Sequence, residues 1–331
     1  MKIQTYRCRM FERHGPPAKT RRAGWLWPLI GVLALIFAMY LGFIFWLYGS
    51  DKVDMARATN DAFRSGGVAT AIPLRRNVYL LTGGEINAVA LIGPDSVLLV
   101  DTGTNWAAPK LADALRGVTD LPVGIIINTH AHTDHRGGNG FFGQGKAEII
   151  AQTVTADMMR DGLATITATE DMPTRVFATN DTFQFGGETV IVTHIPDAHT
   201  QGDAVVRFVQ ADVFATGDIF VNEGFPYIAE PVGASIDGYL RAQTAIMGMV
   251  GAQTIVVPGH GPKADLARLH EVNDRLTRIR NKVVFWKRLG LPPKFVLLTY
   301  PTSPWPLSWA GIGVSPKFFT QLVYRTESGG Q

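Results

Sequence analysis

The chain has 331 residues, of which 46% are hydrophobic and 18% charged, with a formal net charge of +3 and a single cysteine, Cys8. One cysteine excludes a disulfide framework. The positive balance excludes a nucleic-acid surface, because it sits at one end. Residues 1–24 carry seven cations (Lys2, Arg7, Arg9, Arg13, Lys19, Arg21 and Arg22) against Glu12, a net +6, which leaves −3 for the rest.

Residues 25–48 then run for 24 positions without a charge. As a helix they reach about 36 Å, enough to cross a bilayer core of roughly 30 Å. Trp25 and Trp27 near one end, and Trp46 and Tyr48 near the other, resemble interfacial belts. The expectation is a basic cytoplasmic leader (1–24), a signal anchor that contacts the lipid bilayer through 25–48, and an extracytoplasmic remainder, periplasmic in a Gram-negative cell. A cleaved signal peptide is the alternative, but its apolar region usually spans about 7–15 residues. No small-residue cleavage site is obvious at Leu47-Tyr48-Gly49-Ser50. Residues 49–74, with Ser65-Gly66-Gly67, read as a linker, and 75–331 as one domain able to bury a sizeable core.

Within that domain, strands are predicted at 77–81, 86–92 and 96–101, then a helix at 108–116 with Leu111 and Leu115 on one face. A strand at 123–128 follows. Gly137-Gly138 lets the chain turn into a helix. A strand at 148–151 precedes a helical stretch near 156–163. Residues 182–185 and 189–194 flank Gly186-Gly187, a hairpin signal. Residues 204–209 and 213–215 form another strand pair, and helices are predicted at 236–250 and 263–288. The tail from Lys287 to Tyr324 is rich in Trp, Phe, Pro and Lys, and is expected to cover the rest of the fold.

Four of these runs end in groups that bind metals. Ile125-Ile126-Ile127 leads to His130-Ala131-His132-Thr133-Asp134-His135. Val190-Ile191-Val192 leads to Asp197-Ala198-His199-Thr200-Gln201-Gly202-Asp203. Val213-Phe214-Ala215 leads to Thr216-Gly217-Asp218, and Ile255-Val256-Val257 to Pro258-Gly259-His260-Gly261. A strand turns residues i, i+2 and i+4 to one face. If the strand persisted, His130, His132 and Asp134 would project together, and His135 would be left for a second metal. Imidazole and carboxylate suit zinc and its neighbours. Five of the eight histidines fall in these motifs; His14, His194 and His270 do not.

The order HxHxDH, HTxGD, TGD and PGHG, preceded by Val97-Leu98-Leu99-Val100-Asp101-Thr102-Gly103, resembles the metallo-β-lactamase-fold metallohydrolases over about residues 75–265. The resemblance implies an α/β fold, an αβ/βα sandwich with two divalent metal ions, zinc in most members, in a cleft. It assigns His130, His132 and His199 to the first metal, and Asp134, His135 and His260 to the second. Asp218 bridges them, and Asp101 orients a ligand or its loop. Asp134 is also the candidate catalytic residue, handling the proton of a water activated between the metals.

The implied activity is hydrolysis of a small-molecule ester, thioester, lactone or β-lactam outside the cytoplasm. Asp218 stands where the cysteine-ligand β-lactamases have Cys. Glutathione-binding signatures of glyoxalase II are not recognisable, and Phe220 and Val221 occupy the place of the tyrosine usual in quorum-signal lactonases. The alternative from a different class is a metal-containing accessory protein of an envelope redox or sulfur pathway.

Overall fold

The computed structural model describes residues 26–49, 68–83, 86–144, 146–161, 172–303 and 314–327. The chain divides into two compact units, Met1–Ser50 and Asp51–Gln331. Cys8, His14, the leader, the Ser65-Gly66-Gly67 stretch, Trp305 and Trp309 lie outside the described residues.

The first unit contains one described helix, α1 (Leu26–Gly49), 24 residues long. Its described side chains, 27–43, are apolar on every side and almost all exposed. Among the described residues no helix is long and apolar enough to cross a membrane.

The second unit is built on two sheets. In the first, β1 (Thr70–Arg75), β2 (Val78–Thr82), β3 (Ala88–Ile92) and β4 (Val97–Val100) are antiparallel neighbours. β5 (Val123–Ile127), β6 (Glu148–Gln152) and β7 (Arg175–Phe177) then extend the sheet in parallel from β4. Parallel neighbours need crossovers. α2 (Ala108–Arg116) lies between β4 and β5; α3 (Thr133–Arg136) and α4 (Asn139–Gly143) between β5 and β6; α5 (Thr153–Arg160) between β6 and β7. The second sheet has the order β12 (Ile255–Val257), β11 (Val213–Ala215), β10 (Ala204–Phe208), β9 (Glu188–His194), β8 (Asn180–Phe185).

Strand periodicity explains the layers. In β3 and β4, Val89, Leu91, Leu98 and Val100 face between the sheets, where they meet Val190, Val192, Val206, Phe208 and Val213. Their alternates Ala88, Ala90, Val97 and Leu99 face outward and are covered by Leu111 and Leu115 of α2. The outer face of the second sheet, with Val205, Phe214 and Val256, is covered by α6 (Ile236–Met247), α7 (Leu266–Arg288), α8 (Pro293–Leu298) and α9 (Pro316–Thr326). The result is the expected αβ/βα sandwich. Val296, Phe319, Leu322 and Val323 place the described C-terminal segments in its outer core, as the expected cover.

Two expectations need correction. β1 begins at Thr70, inside the stretch expected to be linker. Pro73 argues against a strand by sequence, but β1 is an edge, where proline costs no ladder bond. The last helix of the 263–288 region begins at Leu266, because Ala264 pairs with Val256 and the Asp265 carboxylate caps the Arg268 amide. The β8–β9 hairpin forms as predicted: Gly186 and Gly187 both hold positive φ, 55° and 76°, as a two-residue turn of this hand requires.

Candidate metal centre

The strand that precedes the first motif ends at Ile127, earlier than the motif itself. Residues 133–136 form one helical turn, with the His135 and Arg136 amides donating back to the His132 carbonyl at 3.1 and 3.2 Å. Strand alternation therefore does not reach Asp134. His130 and His132 gather with His199 and Asp218, while Asp134 and His135, successive on the turn, gather with His260. Within each group the candidate ligand atoms all lie within 4.8 Å of one another.

Asp218 touches both groups. Its Oδ2 lies 3.5 Å from His199 Nε2; its Oδ1 lies 3.2 Å from His135 Nε2 and 3.4 Å from His260 Nε2. Asp134 Oδ2 lies 3.4 Å from His260 Nε2 and 3.8 Å from His135 Nε2. In the first group, His132 Nδ1 is 3.1 Å from His130 Nε2 and 2.7 Å from His199 Nε2.

Hydrogen bonds on the far side of the rings set the tautomers. His199 Nδ1 donates to the Tyr227 carbonyl at 2.7 Å. His135 Nδ1 donates to Asp101 Oδ2 at 2.8 Å. The Thr129 hydroxyl donates to Asp101 Oδ2 at 2.8 Å, so it accepts from His130 Nδ1 at 3.1 Å. Each bond holds a proton on Nδ1, so that Nε2 is the nitrogen turned inward. His135 Nε2 and Asp218 Oδ1 are buried and have no hydrogen-bond partner among the described residues. Buried polar atoms without partners are costly. A cation between them removes that cost, so the donor set fits metal ions.

The electrostatics separate the two groups. Burial, reinforced by neighbouring imidazoles, holds His130 well below the usual histidine range and lowers His132 to about 4. Burial lowers His199 as well. Burial also disfavours charge on His135 and His260, but Asp218 and its carboxylate neighbours outweigh it. His135 is raised well above the usual range, and His260 to about 10. Burial raises Asp218 and Asp134, yet the facing imidazoles win and hold both below the usual carboxylate range. The three imidazoles of the first group are thus neutral at physiological pH, beside the ionised Asp218. The second carries protons where a cation would sit.

The loops are held by residues that the motifs do not reveal. Asp101 adopts φ 59°, closing the turn before Gly103, and accepts from both the Thr129 amide and hydroxyl. It therefore orients His135 and braces its loop at once. Asn87 donates to the carbonyls of Pro258 and Gly261, and its amide donates to Gly259, pinning the His260 loop. The buried Tyr239 hydroxyl donates to the Asp218 carbonyl at 3.1 Å. A side chain on Gly259 would collide with the Asp218 carboxylate, and Gly217 needs φ 50° against Thr129. No sequence signal marks Thr129, Asn87 or Tyr239, because their roles depend on contacts distant in the chain.

The unassigned residues sit elsewhere. His194 Nε2 donates to the Gln201 carbonyl at 2.9 Å, and His270 is exposed on α7. Asp203 accepts from the Thr200 amide and hydroxyl at 2.7 and 2.6 Å, bracing the His199 loop. Its burial raises its pKa to about 6. Phe220 and Phe225 are buried in the core, while Tyr227 is half-buried beside the first group.

Comparison with known proteins agrees with this geometry. The family described as "Metallo-beta-lactamase superfamily" matches residues 81–260. The metallo-beta-lactamase IND-1 of Chryseobacterium indologenes is 23% identical over 57% of this chain and 80% of its own. Metallo-beta-lactamase domain-containing protein 1 of Xenopus laevis is 29% identical over 54% of this chain and 74% of its own. Among solved structures, a metallo-beta-lactamase from Pontibacter korlensis superposes with TM-score 0.54 at 19% identity, covering 63% of this chain and 99% of that one. The sec-alkylsulfatase Pisa1 from Pseudomonas sp. superposes with TM-score 0.63 at 15% identity, covering 83% and 52%. At such identities the structural likeness speaks for the fold alone.

Proposed function

The chain belongs to the metallo-β-lactamase superfamily, and from that premise we propose that it is a binuclear metal hydrolase. His130, His132 and His199 would hold one divalent cation; Asp134, His135 and His260 would hold the other. Asp218 would join them. Five imidazoles with two carboxylates suit zinc. The observation that carries this proposal is the Asp218 carboxylate, whose two oxygens turn to different histidine groups. When bound, such a pair of cations supplies Lewis acidity that polarises a carbonyl and acidifies a water. Asp134 would take the proton: its Oδ2 lies 3.8 Å from His135 Nε2 and 3.4 Å from His260 Nε2, and the side chain keeps 28% exposure. The substrate class is a small ester, thioester, lactone or β-lactam.

The test is a turnover screen over those four bond types with the zinc-loaded full-length protein in detergent. Turnover of at least one class is expected, lost in chelator and restored by zinc or manganese. No turnover of any class with the cations bound would overturn the hydrolase proposal in favour of an accessory role in a redox or sulfur pathway.

The two sites should respond differently to pH. His260 holds a proton up to about 10, and a cation must displace it. His135 is raised as well, so affinity at the second site should fall by at least about tenfold per pH unit on acidification from 9 to 6, with at least one proton released per cation. The first group, with His132 near 4, has no proton to release in that window. Competition with a chromophoric chelator at several pH values measures this. One common pH slope for both cations would contradict the assignment.

We also propose that residues 25–48, 24 positions without a charge, anchor the chain in a membrane, with the leader in the cytoplasm and the remainder outside. The +6 leader supports that orientation. A reporter active only outside the cytoplasm, fused after Gly83, should be active. Activity from a cytoplasm-specific reporter alone would reverse the topology.

A further inference from the structure

α9 (Pro316–Thr326) lies outside residues 81–260, the stretch that the family model matches. It meets the segment after Asp218 through two stacked ring pairs. Phe225 stacks on Phe319 at 4.9 Å and 19°, and both are buried. That pair anchors α9 to the outer core. Tyr227 stacks on Phe318 at 6.3 Å and 18°, and both are half-buried. The second pair packs at the edge of the same core and keeps part of its aromatic face exposed.

That face flanks the first histidine group. The Tyr227 ring lies 6.0 Å from His132 and 6.2 Å from His199, centre to centre. Its place is tied to the site, since its carbonyl accepts the His199 Nδ1 proton at 2.7 Å. His130, His135 and His199 are buried, whereas His132, Asp134 and Tyr227 keep partial exposure. Tyr227 is therefore part of the mouth. Arg325 of α9 pairs with Glu230 of the facing segment at 2.8 Å. Ring faces bind flat aromatic groups by offset stacking and burial of apolar area.

We propose that Tyr227 and Phe318 form an aromatic wall beside the first metal position, which selects substrates whose acyl part carries an aromatic or flat apolar group. The proposal rests on the metal-centre assignment above. It makes Tyr227 and Phe318 specificity residues, with no part in bond cleavage.

The test measures binding, independent of turnover. Two metal-directed probes, acetohydroxamic acid and phenylacetohydroxamic acid, are titrated calorimetrically into the zinc-loaded full-length protein in one detergent. The aromatic probe is expected to bind at least about tenfold tighter, the scale of one well-made aromatic contact with its buried area. Tyr227→Leu and Phe318→Leu keep apolar volume and should each cut that preference to about threefold or less. Tyr227→Phe should preserve it. Equal binding of both probes to the wild type, or a preference that survives both leucine variants, would overturn the aromatic wall while leaving the metal centre standing. Failure of both probes to bind the wild type would overturn the metal-centre assignment and the wall with it.

Discussion

Asp218→Asn is expected to strip the protein of metal while leaving its fold in place. Asp218 is buried, and its oxygens reach His199 on one side and His135 and His260 on the other. It is held ionised: burial opposes the charge, but the surrounding imidazoles outweigh it. The amide keeps the shape, and the Tyr239 hydroxyl still holds the backbone through the Asp218 carbonyl. What is lost is one negative charge shared by both sites, and one lone-pair oxygen replaced by N–H groups aimed at imidazole lone pairs. Even residues that only support a metal ligand are worth about 10–100-fold in affinity. A shared ligand should exceed that, so both cations should bind at least about 100-fold more weakly. Equilibrium competition with a chromophoric chelator reads the affinity, and a thermal melt of the metal-free protein checks the fold. Wild-type affinity for both cations would remove Asp218 from the bridging position.

Asp134→Asn should behave differently: metal is retained in excess zinc but turnover collapses. Asp134 sits on the open side of the second group, with 28% of its side chain exposed against 9% for Asp218. The facing His135 and His260 overcome the effect of burial and hold it ionised, able to receive a proton only transiently. General acid–base roles are worth roughly 10²–10⁴-fold in rate. With both cations confirmed present, kcat should fall by at least about 100-fold. His194→Ala, whose ring bonds the Gln201 carbonyl and lies in neither group, should leave kcat within about twofold of wild type if folded. Near-normal kcat in the metal-loaded Asp134 variant would take the proton role away from it.

The layered fold was legible because its strands are short runs of Val, Ile and Leu bounded by glycine or polar turns. The candidate site was legible because each of its histidines and aspartates follows such a run within eight positions. The arrangement of those residues was less so. A single helical turn at 133–136 has no periodicity to detect, and it moves Asp134 away from His130 and His132 into the other group. β1 was hidden by Pro73, which is harmless only at an edge. The supports are long-range: Thr129 with Asp101, Asn87 with Pro258, and Tyr239 with Asp218. The stacking of Phe318 on Tyr227 joins residues about ninety positions apart, beyond any local pattern.

Metal analysis of the purified protein tests the binuclear assignment most directly. Mass spectrometric quantitation after zinc loading and removal of free metal should give about two zinc ions per chain, as a carboxylate shared between two imidazole groups requires. His130→Ala with His132→Ala should leave about one, and His260→Ala should also leave about one. One ion or none in the wild type, or two retained after both His130 and His132 are lost, would contradict it.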